Sequence, residues 1–348
     1  MFKTRITELL GIKYPIIGGT MMDLSLAPFV AAISNAGALG IVASAIFKDP
    51  EKLRLEIRKT RELTDKPFAV NINLFPQLMP PDNRVFLDVL AAERVRIVET
   101  SGHQAPEGLV ALFKEYGMTW IHKCVGVRYA RKVASLGADA VTVVGYENGG
   151  ATGILNITTL VLVPSVIDAV KIPVIGGGGV ADGRGLYAVL SLGAEAAIVG
   201  SRFVLSEECP VHRNLKNALC DADELSTDLI MFTVGFTHRV WMNEPARKTL
   251  EIEKRGGTLQ EILPYVSGEA ARKMYKTGDL NAGTISVSQA IGIPRKIMPV
   301  KDIVEEMIEQ AQTIHKRMAT IGMAGWQMEG EDSPTLNSGK RFSLDAKG

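Results

Sequence analysis

Residues 173–185 read PVIGGGGVADGRG: a short apolar run, four consecutive glycines, and then the start of a helical pattern. The same order of apolar β-branched run, stop rich in Gly, Asn or Ser, and amphipathic stretch recurs between residues 15 and 202. Because the runs are continuously apolar rather than alternating, they predict strands buried on both faces of a parallel sheet.

Eight runs of this kind occur, at residues 14–17, 39–43, 68–72, 95–98, 119–122, 140–144, 173–175 and 196–199. Amphipathic stretches such as 49–63 and 127–136 separate them, and a glycine typical of a helix C-terminus often precedes the next strand: Gly37, Gly117, Gly137 and Gly193. A doubly wound open sheet is the alternative, but such sheets usually have about five or six strands. The pattern therefore predicts an α/β protein with a TIM (β/α)₈ barrel over residues 1–205.

The strand pattern stops after Arg202, and helical patterns follow at 211–222, 245–253, 259–263 and 268–275. They predict a small helical domain at 206–298, inserted after the eighth strand. Apolar residues at helical spacing within 300–318 predict a closing barrel helix, which we place at 299–326. The remaining residues, 327–348, are polar and are expected to be a disordered tail.

Composition excludes several classes of protein. The chain has 348 residues, with 39 Lys+Arg against 38 Asp+Glu, so it lacks the positive surface of a nucleic-acid-binding or membrane-surface protein. Three cysteines cannot form a disulfide scaffold, and Cys209 and Cys220 have no partners at metal-ligand spacing. No apolar run of about 18 residues and no signal-like start are present, so we expect a cytoplasmic protein that does not enter membranes.

Glycines at the carboxyl ends of the last two predicted strands indicate a phosphate site. Gly178 and Gly179 follow strand seven, and Gly200 and Ser201 follow strand eight. Glycine lets backbone N–H groups approach an anion, and in barrels these two loops commonly bind phosphate. The alternative is a tight turn without a ligand.

The phosphate of such a site belongs to a sugar, to pyridoxal or to a flavin. Pyridoxal needs a lysine for an imine, and Lys123 is available at the end of strand five. A flavin needs backbone donors, an amide and a cation, which residues 18–22, Asn71 and Lys123 offer. An asparagine such as Asn71 inside an apolar strand is costly unless it is hydrogen-bonded.

Several motifs together resemble the nitronate monooxygenases, formerly called 2-nitropropane dioxygenases. They are GGTM at 18–21, NINL at 71–74, HKC at 122–124, ADGRG at 181–185, GSRF at 200–203, STDLIM at 226–231, GDL at 278–280 and SVSQ at 286–289. The resemblance covers about residues 3–325 and is strongest to a bacterial branch that includes an NADH:quinone reductase. It implies an FMN-binding TIM barrel whose helical domain covers the substrate.

The resemblance also implies roles for individual positions. Thr20, Met21 and Met22 would lie along the isoalloxazine edge, and Asn71 and Lys123 would hold the polar edge of the ring. The phosphate of FMN would be bound by Gly178, Gly179, Gly200 and Ser201.

One departure from the family pattern concerns catalysis. Family members have a Gly-x-Glu-x-x-Gly-His-x-Gly pattern after strand six, whereas residues 145–153 read GYENGGATG and place Ala151 at the histidine position. Alanine cannot act as a base, so a neutral nitroalkane should be a poor substrate. Thr152 and Tyr146 are the remaining candidates for donating a hydrogen bond or a proton.

The expected activity is therefore FMN-dependent oxidation of a nitronate, or of a similar carbanion-like donor, by O₂. One alternative is reduction of a quinone or enoyl compound by NAD(P)H, which would dock transiently because no dinucleotide fingerprint is present. The other is a catalytically silent flavin-binding protein. A small-molecule substrate is expected in either enzymatic case, and an oligomer is possible.

Other reactive side chains are predicted to be structural. His122 should face the helices because its neighbour Lys123 faces the flavin, and Cys124 should be a small buried residue. The histidines expected at the surface or at helix caps are His103, His212, His238 and His315. Residues 79–81, Met-Pro-Pro, are a candidate gate, and Trp241 and Phe236 are expected in an apolar pocket or in the core.

Overall fold

A computed structural model describes residues 2–75, 82–102, 104–153, 155–235 and 237–323. The strands are β1 Ile16–Gly18, β2 Gly40–Ala43, β3 Phe68–Asn73, β4 Ile97–Ser101, β5 Thr119–Cys124, β6 Ala140–Val144, β7 Gly150–Ala151, β8 Val174–Gly177, β9 Ala196–Val199, β10 Thr227–Ile230 and β11 His238–Trp241. The α-helices are α1 Arg5–Leu10, α2 Ala27–Asn35, α3 Pro50–Leu63, α4 Asn83–Ala92, α5 Val110–Glu115, α6 Val127–Leu136, α7 Thr159–Ile167, α8 Gly183–Ser191, α9 Ser201–Val204, α10 Arg213–Cys220, α11 Glu244–Lys254, α12 Leu259–Val266, α13 Gly268–Thr277 and α14 Val300–Met323. Short 3₁₀ helices lie at Ser44–Ile46, Glu107–Leu109, Phe232–Val234 and Gln289–Gly292.

Eight parallel strands form one sheet in the order β1-β9-β8-β6-β5-β4-β3-β2. The two outer strands of this order meet, because Gly18 N–H donates to Leu39 O at 2.8 Å and Leu39 N–H donates to Ile16 O at 3.0 Å. The sheet is thereby closed into the TIM barrel that the sequence predicted. The glycines expected at helix C-termini have positive φ values of 91°, 60°, 95° and 97°: Gly37, Gly117, Gly137 and Gly193.

Two separate apolar clusters form the core, one outside the barrel sheet and one inside it. The larger core lies between the strands and the surrounding helices. A second, separate cluster contains inward residues such as Ile41, Ile121 and Ile175, and the buried Ile6 and Leu10 of α1 belong to it. Because α1 precedes β1, it closes the end of the barrel at which the strands begin. The end at which the strands finish is left for a ligand.

The segment after β9 differs from the prediction. Residues 206–298 contain α10 to α13, but β10 and β11 pair antiparallel to each other, and β11 pairs antiparallel to β7. The expectation of no further strand after Arg202 was wrong. These strands have four residues each and include Asp228, His238 and Arg239, so they do not show the apolar runs of the barrel.

Helix α14 packs against α8 and α2. Gly183 N–H, at the start of α8, donates to the side-chain oxygen of Gln310 at 2.9 Å. Helix α9 has only four residues, so α14 occupies the position beside β9 that a full eighth barrel helix would take. The candidate gate at 79–81 and the tail at 327–348 lie outside the described residues.

No helix in the described part of the chain combines the length and the apolar character that crossing a bilayer requires.

Candidate functional site in the barrel mouth

A cavity of about 320 Å³ lies at the carboxyl ends of the strands. Its walls come from the segments after β1, β3, β4, β5, β6, β8 and β9. Residues outside the barrel complete it, namely His238, Tyr275, Ser286 and Ser288. A cavity of this size is in the range of small-ligand sites.

One side of the cavity, which we call the glycine wall, consists of Gly178, Gly179, Gly200 and Ser201. Gly178 and Gly179 have φ values of +97° and +76°, a left-handed conformation that disfavours other residues. A Cβ atom on Gly178 would lie 2.7 Å from Thr159 Oγ1, so this position is also closely packed. A Cβ on Gly200 would meet no protein atom within 4 Å, which shows that this backbone faces open space.

Ser201 adds a hydroxyl to the glycine wall. Its Oγ accepts a hydrogen bond from Ser288 N–H at 2.7 Å. Because the hydroxyl serves there as an acceptor, its own proton remains available for donation. The wall therefore combines exposed backbone with a hydroxyl donor, and both suit an anion.

A second feature, which we call the Glu99 cluster, consists of Thr20, Asn71, Glu99 and Lys123, of which Lys123 lines the cavity. Glu99 is 1% exposed, and its Oε2 accepts hydrogen bonds from Thr20 Oγ1 at 2.7 Å and Asn71 Nδ2 at 2.6 Å. Lys123 Nζ lies 3.7 Å from the same oxygen. The other oxygen, Oε1, is buried and has no hydrogen-bond partner among the described residues.

Strand pairing assembles this cluster. Asn71 of β3 stands opposite Glu99 of β4, and Ser101 of β4 stands opposite Lys123 of β5. Asn71 Nδ2 also lies 3.1 Å from Ser101 Oγ. A buried carboxylate is stable only with such partners, so the three donors compensate for its burial.

The cluster refines the roles that the resemblance implied. Lys123 and the methionines Met21 and Met22 line the cavity, whereas Thr20 and Asn71 are joined to Lys123 through Glu99. Met21 N–H donates to Ser25 Oγ at 2.9 Å and is thus already bonded within the loop. Glu99 was not among the predicted site residues, although a carboxylate inside an apolar strand is the same signal that marked Asn71.

The loop after β6 carries the departure from the family pattern. Ala151 and Thr152 both line the cavity, and Thr152 Oγ1 lies 2.7 Å from Thr237 Oγ1. Tyr146 is placed differently, because the Arg239 guanidinium covers its ring at 4.6 Å from the centroid. Among the described residues that form the cavity wall, Tyr146 is absent, which removes the support for it as a proton donor.

His238 also lines the cavity. It is half-buried in β11 and stands opposite Ala151 in the pairing with β7. The expectation of a surface or capping role for His238 was therefore wrong. The error follows from the missed strand, because only the pairing of β11 with β7 brings residue 238 to the barrel mouth.

His122 and Cys124 are not acid–base groups near neutral pH. His122 is buried, with Nδ1 2.8 Å from Thr100 Oγ1, and burial lowers its pKa to about 4, with a smaller effect from the Lys123 charge. Burial raises the pKa of the Cys124 thiol to about 12, although this residue lines the cavity. Both side chains are buried, as the sequence predicted for Cys124.

The remaining candidates lie away from the cavity. His212 caps α10, its Nδ1 accepting from Asn214 N–H at 3.1 Å, and a ring nitrogen of His315 lies 3.4 Å from the Tyr187 hydroxyl. Trp241 packs against the main core. Burial raises the pKa of Cys209 to about 12, and no cluster suited to a metal ion occurs within the described ranges. His103 and Phe236 lie outside the described residues.

The model of the nitronate monooxygenase family matches residues 3–310. The chain belongs to the nitronate monooxygenase family. Membership makes it an enzyme, a flavin-dependent oxidoreductase, and agrees with the resemblance that the motifs carried.

Individual relatives show the range of this family. The nitronate monooxygenase of Pseudomonas aeruginosa is 36% identical over 88% of this chain and 98% of its own length. A Rhodococcus jostii protein, (3aS,4S,5R,7aS)-5-hydroxy-7a-methyl-1-oxo-octahydro-1H-indene-4-carboxyl-CoA dehydrogenase, is 40% identical over 68% of this chain, but the match spans only 65% of that protein. The structure of FabK from Thermotoga maritima superposes with a TM-score of 0.85 at 36% identity, covering 92% of this chain and 100% of FabK.

Proposed function

We propose that the chain is an FMN-dependent oxidoreductase that oxidises a nitronate, or a similar carbanion-like donor, with O₂. The observation that carries the proposal is one cavity whose lining combines the glycine wall with Lys123, the cation held by the Glu99 cluster. The P. aeruginosa relative with the name nitronate monooxygenase supports the reaction.

The glycine wall fits the phosphate of FMN. Gly200 leaves open space where any other residue would place a Cβ, and Gly178 and Gly179 hold a left-handed turn that exposes the backbone. Ser201 has a hydroxyl proton to donate. These groups would hold the phosphate without a positively charged side chain, as glycine-rich loops do elsewhere.

The Glu99 cluster fits the polar edge of a flavin, which offers both N–H donors and carbonyl acceptors. Lys123 supplies a cation in the cavity wall, and Glu99 Oε1 is a buried acceptor without a partner in the described structure. Among the described residues of the cluster, only Lys123 lines the cavity, and Glu99 with Thr20 and Asn71 would hold that lysine in place against the ring. FMN, when bound, accepts an electron pair from a donor and passes electrons on to an acceptor.

The chain's own residues determine which donor suits the site. Position 151 supplies no base, the Cys124 thiol stays protonated because burial raises its pKa to about 12, and a threonine hydroxyl such as that of Thr152 is not a base near neutral pH. A nitronate arrives already deprotonated and needs none of them. Lys123 places a positive charge in the wall, which attracts such an anion.

A second candidate function is reduction of a quinone or an enoyl compound by NAD(P)H through the same FMN. The likeness to FabK of Thermotoga maritima, an enoyl reductase 36% identical to this chain, favours it. A reductase also needs no base at position 151. It needs a proton source for the substrate carbon, which the loop after β6 does not supply by itself.

Anaerobic mixing of the purified protein with each donor distinguishes these functions. Bleaching of the flavin absorbance by ethyl nitronate, followed by recovery of the colour on admitting O₂, is the result expected for the first function. Rapid bleaching by NADH or NADPH, with ethyl nitronate inert, would overturn it in favour of the reductase. A flavin inert to all three compounds would indicate a silent flavin-binding protein.

A further inference from the structure

Lys123 and Glu99 form an ion pair at the edge of the cavity, with 3.7 Å between Nζ and Oε2. Among the described residues that line the cavity, Lys123 is the only lysine, arginine, aspartate or glutamate. Its side chain is 21% exposed, and that of Glu99 is 1% exposed. Because water screens buried charges less than exposed ones, this pair supplies most of the charge that a ligand in the cavity meets.

The barrel places the carboxylate beneath the lysine. Ile97 and Ile121 belong to the inner apolar cluster, so Glu99 and Lys123, each two residues further along the same strands, also point inward. Ser101 stands opposite Lys123 in the pairing of β4 with β5. Glu99 therefore lies two residues deeper in the barrel than Lys123, and its carboxylate approaches the lysine from the side away from the mouth.

The carboxylate balances the lysine charge without using its hydrogen-bond donors. The separation of 3.7 Å is longer than an ordinary hydrogen bond, in which donor and acceptor are about 2.7–3.2 Å apart. Glu99 Oε2 is fixed instead by Thr20 Oγ1 at 2.7 Å and Asn71 Nδ2 at 2.6 Å, which both donate to it. Glu99 thus leaves all three N–H donors of the Lys123 ammonium group for other partners.

The two charges act in opposite directions on a group that becomes negative. Reduction of FMN to its anionic reduced form takes up two electrons and one proton, and a cation beside the ring stabilises the charge that develops. Lys123 in the cavity wall would supply this stabilisation, and Glu99 would oppose it. The reduction potential of a flavin in this cavity should therefore depend on both residues.

We propose that Glu99 is a positioning residue that holds Lys123 and lowers the two-electron reduction potential of bound FMN by opposing the lysine charge. A lower potential makes the reduced flavin a stronger electron donor, which suits a reaction that ends on O₂. The inference rests on the proposed function, because it requires FMN in the cavity, and it assigns the tuning of that flavin to a residue that does not line the cavity.

The reduction potential of the holoenzyme tests this inference. Xanthine and xanthine oxidase reduce the protein without oxygen beside a dye of known potential, and absorbance gives the reduced fraction of each. Glu99→Gln, whose amide oxygen can still accept from Thr20 and Asn71, should raise the potential by at least about 30 mV, equivalent to a tenfold change for a two-electron couple. Lys123→Met should lower it by at least about 30 mV.

Glu93→Gln is the matched control. Glu93 is also buried, at 8% exposure, and its carboxylate lies 3.0 Å from Arg54 Nη1 and 2.8 Å from Arg58 Nη2. It precedes β4, at the end of the barrel away from the cavity. Its replacement removes a paired carboxylate without changing the charge near the flavin, so the potential should equal that of the wild type. An equal rise in Glu93→Gln and Glu99→Gln would contradict the inference.

A double variant guards against loss of folding. Glu99→Gln combined with Lys123→Met replaces the ion pair by two neutral side chains of similar size, which a buried site tolerates better than one unpaired charge. Its potential should be higher than that of Lys123→Met, which keeps the carboxylate. A Glu99→Gln potential at or below that of the wild type, or a double variant no higher than Lys123→Met, would overturn the inference.

The potential requires bound FMN but no nitronate, so its outcome is separate from oxidase activity. The expected shifts in a protein that fails to oxidise ethyl nitronate would leave this inference standing and overturn the nitronate oxidase. Nitronate oxidation with an unchanged potential in Glu99→Gln would do the reverse. Failure to bind FMN would overturn both.

Discussion

The two parts of the site, the glycine wall and the Glu99 cluster, are built in opposite ways. The glycine wall is backbone, shaped by the absence of side chains and by left-handed φ angles at Gly178 and Gly179. The Glu99 cluster is side chain, a buried carboxylate held by donors from β3 and β5 and from the loop after β1. The first is therefore vulnerable to added volume, and the second to loss of a charge or a hydrogen bond.

Among the substitutions proposed for the two parts of the site, Gly178→Ala should lower the free energy of unfolding the most. The substitution combines left-handed strain with a Cβ that would lie 2.7 Å from Thr159 Oγ1 and 2.8 Å from Gly145 N. We expect a loss of about 3–5 kcal/mol in the free energy of unfolding, measured by urea denaturation.

Gly256→Ala is the control for that substitution. Gly256 has a φ of +77° but open space around its would-be Cβ, so only the conformational strain of about 1–2 kcal/mol should appear. Equal losses in the two variants would show that crowding does not shape the glycine wall.

Glu99→Gln tests the Glu99 cluster. Removing the carboxylate charge leaves Lys123 unpaired in the cavity wall, and we expect a loss of about 3 kcal/mol in the free energy of unfolding together with weaker flavin binding. Lys123→Met in the Glu99→Gln background should cost less than in the wild type, because the pair acts as a unit. If the losses in the free energy of unfolding of the two single variants add up to the loss of the double variant, Glu99 and Lys123 do not stabilise each other, and the cluster as described is contradicted.

His122 tests which face of β5 carries the cluster. Its pKa is about 4 in the folded protein against about 6.5 when unfolded, so the unfolded state binds more protons between these values. The free energy of unfolding should therefore fall as the pH drops from 6.5 to 4, by up to about 3 kcal/mol.

The comparison that isolates this effect uses His122→Gln, which should lack this part of the pH dependence, and His315→Gln, which should keep it. Identical pH profiles for the wild type and His122→Gln would place His122 in a solvated environment and contradict the assignment of the two faces.

Gly200→Ala should have the smallest effect on stability and a selective one on binding. Its Cβ would touch no protein atom within 4 Å, so the free energy of unfolding should change by less than about 0.5 kcal/mol. The methyl group would occupy the space proposed for the phosphate, and FMN affinity, titrated by fluorescence quenching, should fall at least about tenfold.

Gly108→Ala is the matched control, since its Cβ would meet only a side-chain atom at 3.9 Å and the residue does not line the cavity. Unaltered FMN affinity in Gly200→Ala would contradict the placement of the phosphate beside this loop.

The difference between the glycine wall and the Glu99 cluster also explains which parts of the site could be predicted from the sequence. The barrel strands and the glycine wall follow from local patterns, because continuous apolar runs and consecutive glycines each require a particular structure. The Glu99 cluster depends on which strands pair, and residue 99 becomes a partner of Asn71 only through the β3–β4 register.

His238 was out of reach for a related reason. The strand that carries it is short and partly polar, and its stability comes from pairing with β10 and β7 rather than from its own composition. Lys123 and the glycines of the family motifs could be proposed from local patterns, whereas residues placed by long-range pairing, such as Glu99 and His238, were missed.

A comparison of FMN with riboflavin, which lacks the phosphate, tests the central claim most directly. The purified protein should carry FMN, identified by mass spectrometry after denaturation, and the flavin-free protein should bind FMN at least about 100-fold more tightly than riboflavin, consistent with several charge-assisted hydrogen bonds to the phosphate. Equal affinity for the two flavins, or no binding of either, would contradict the account.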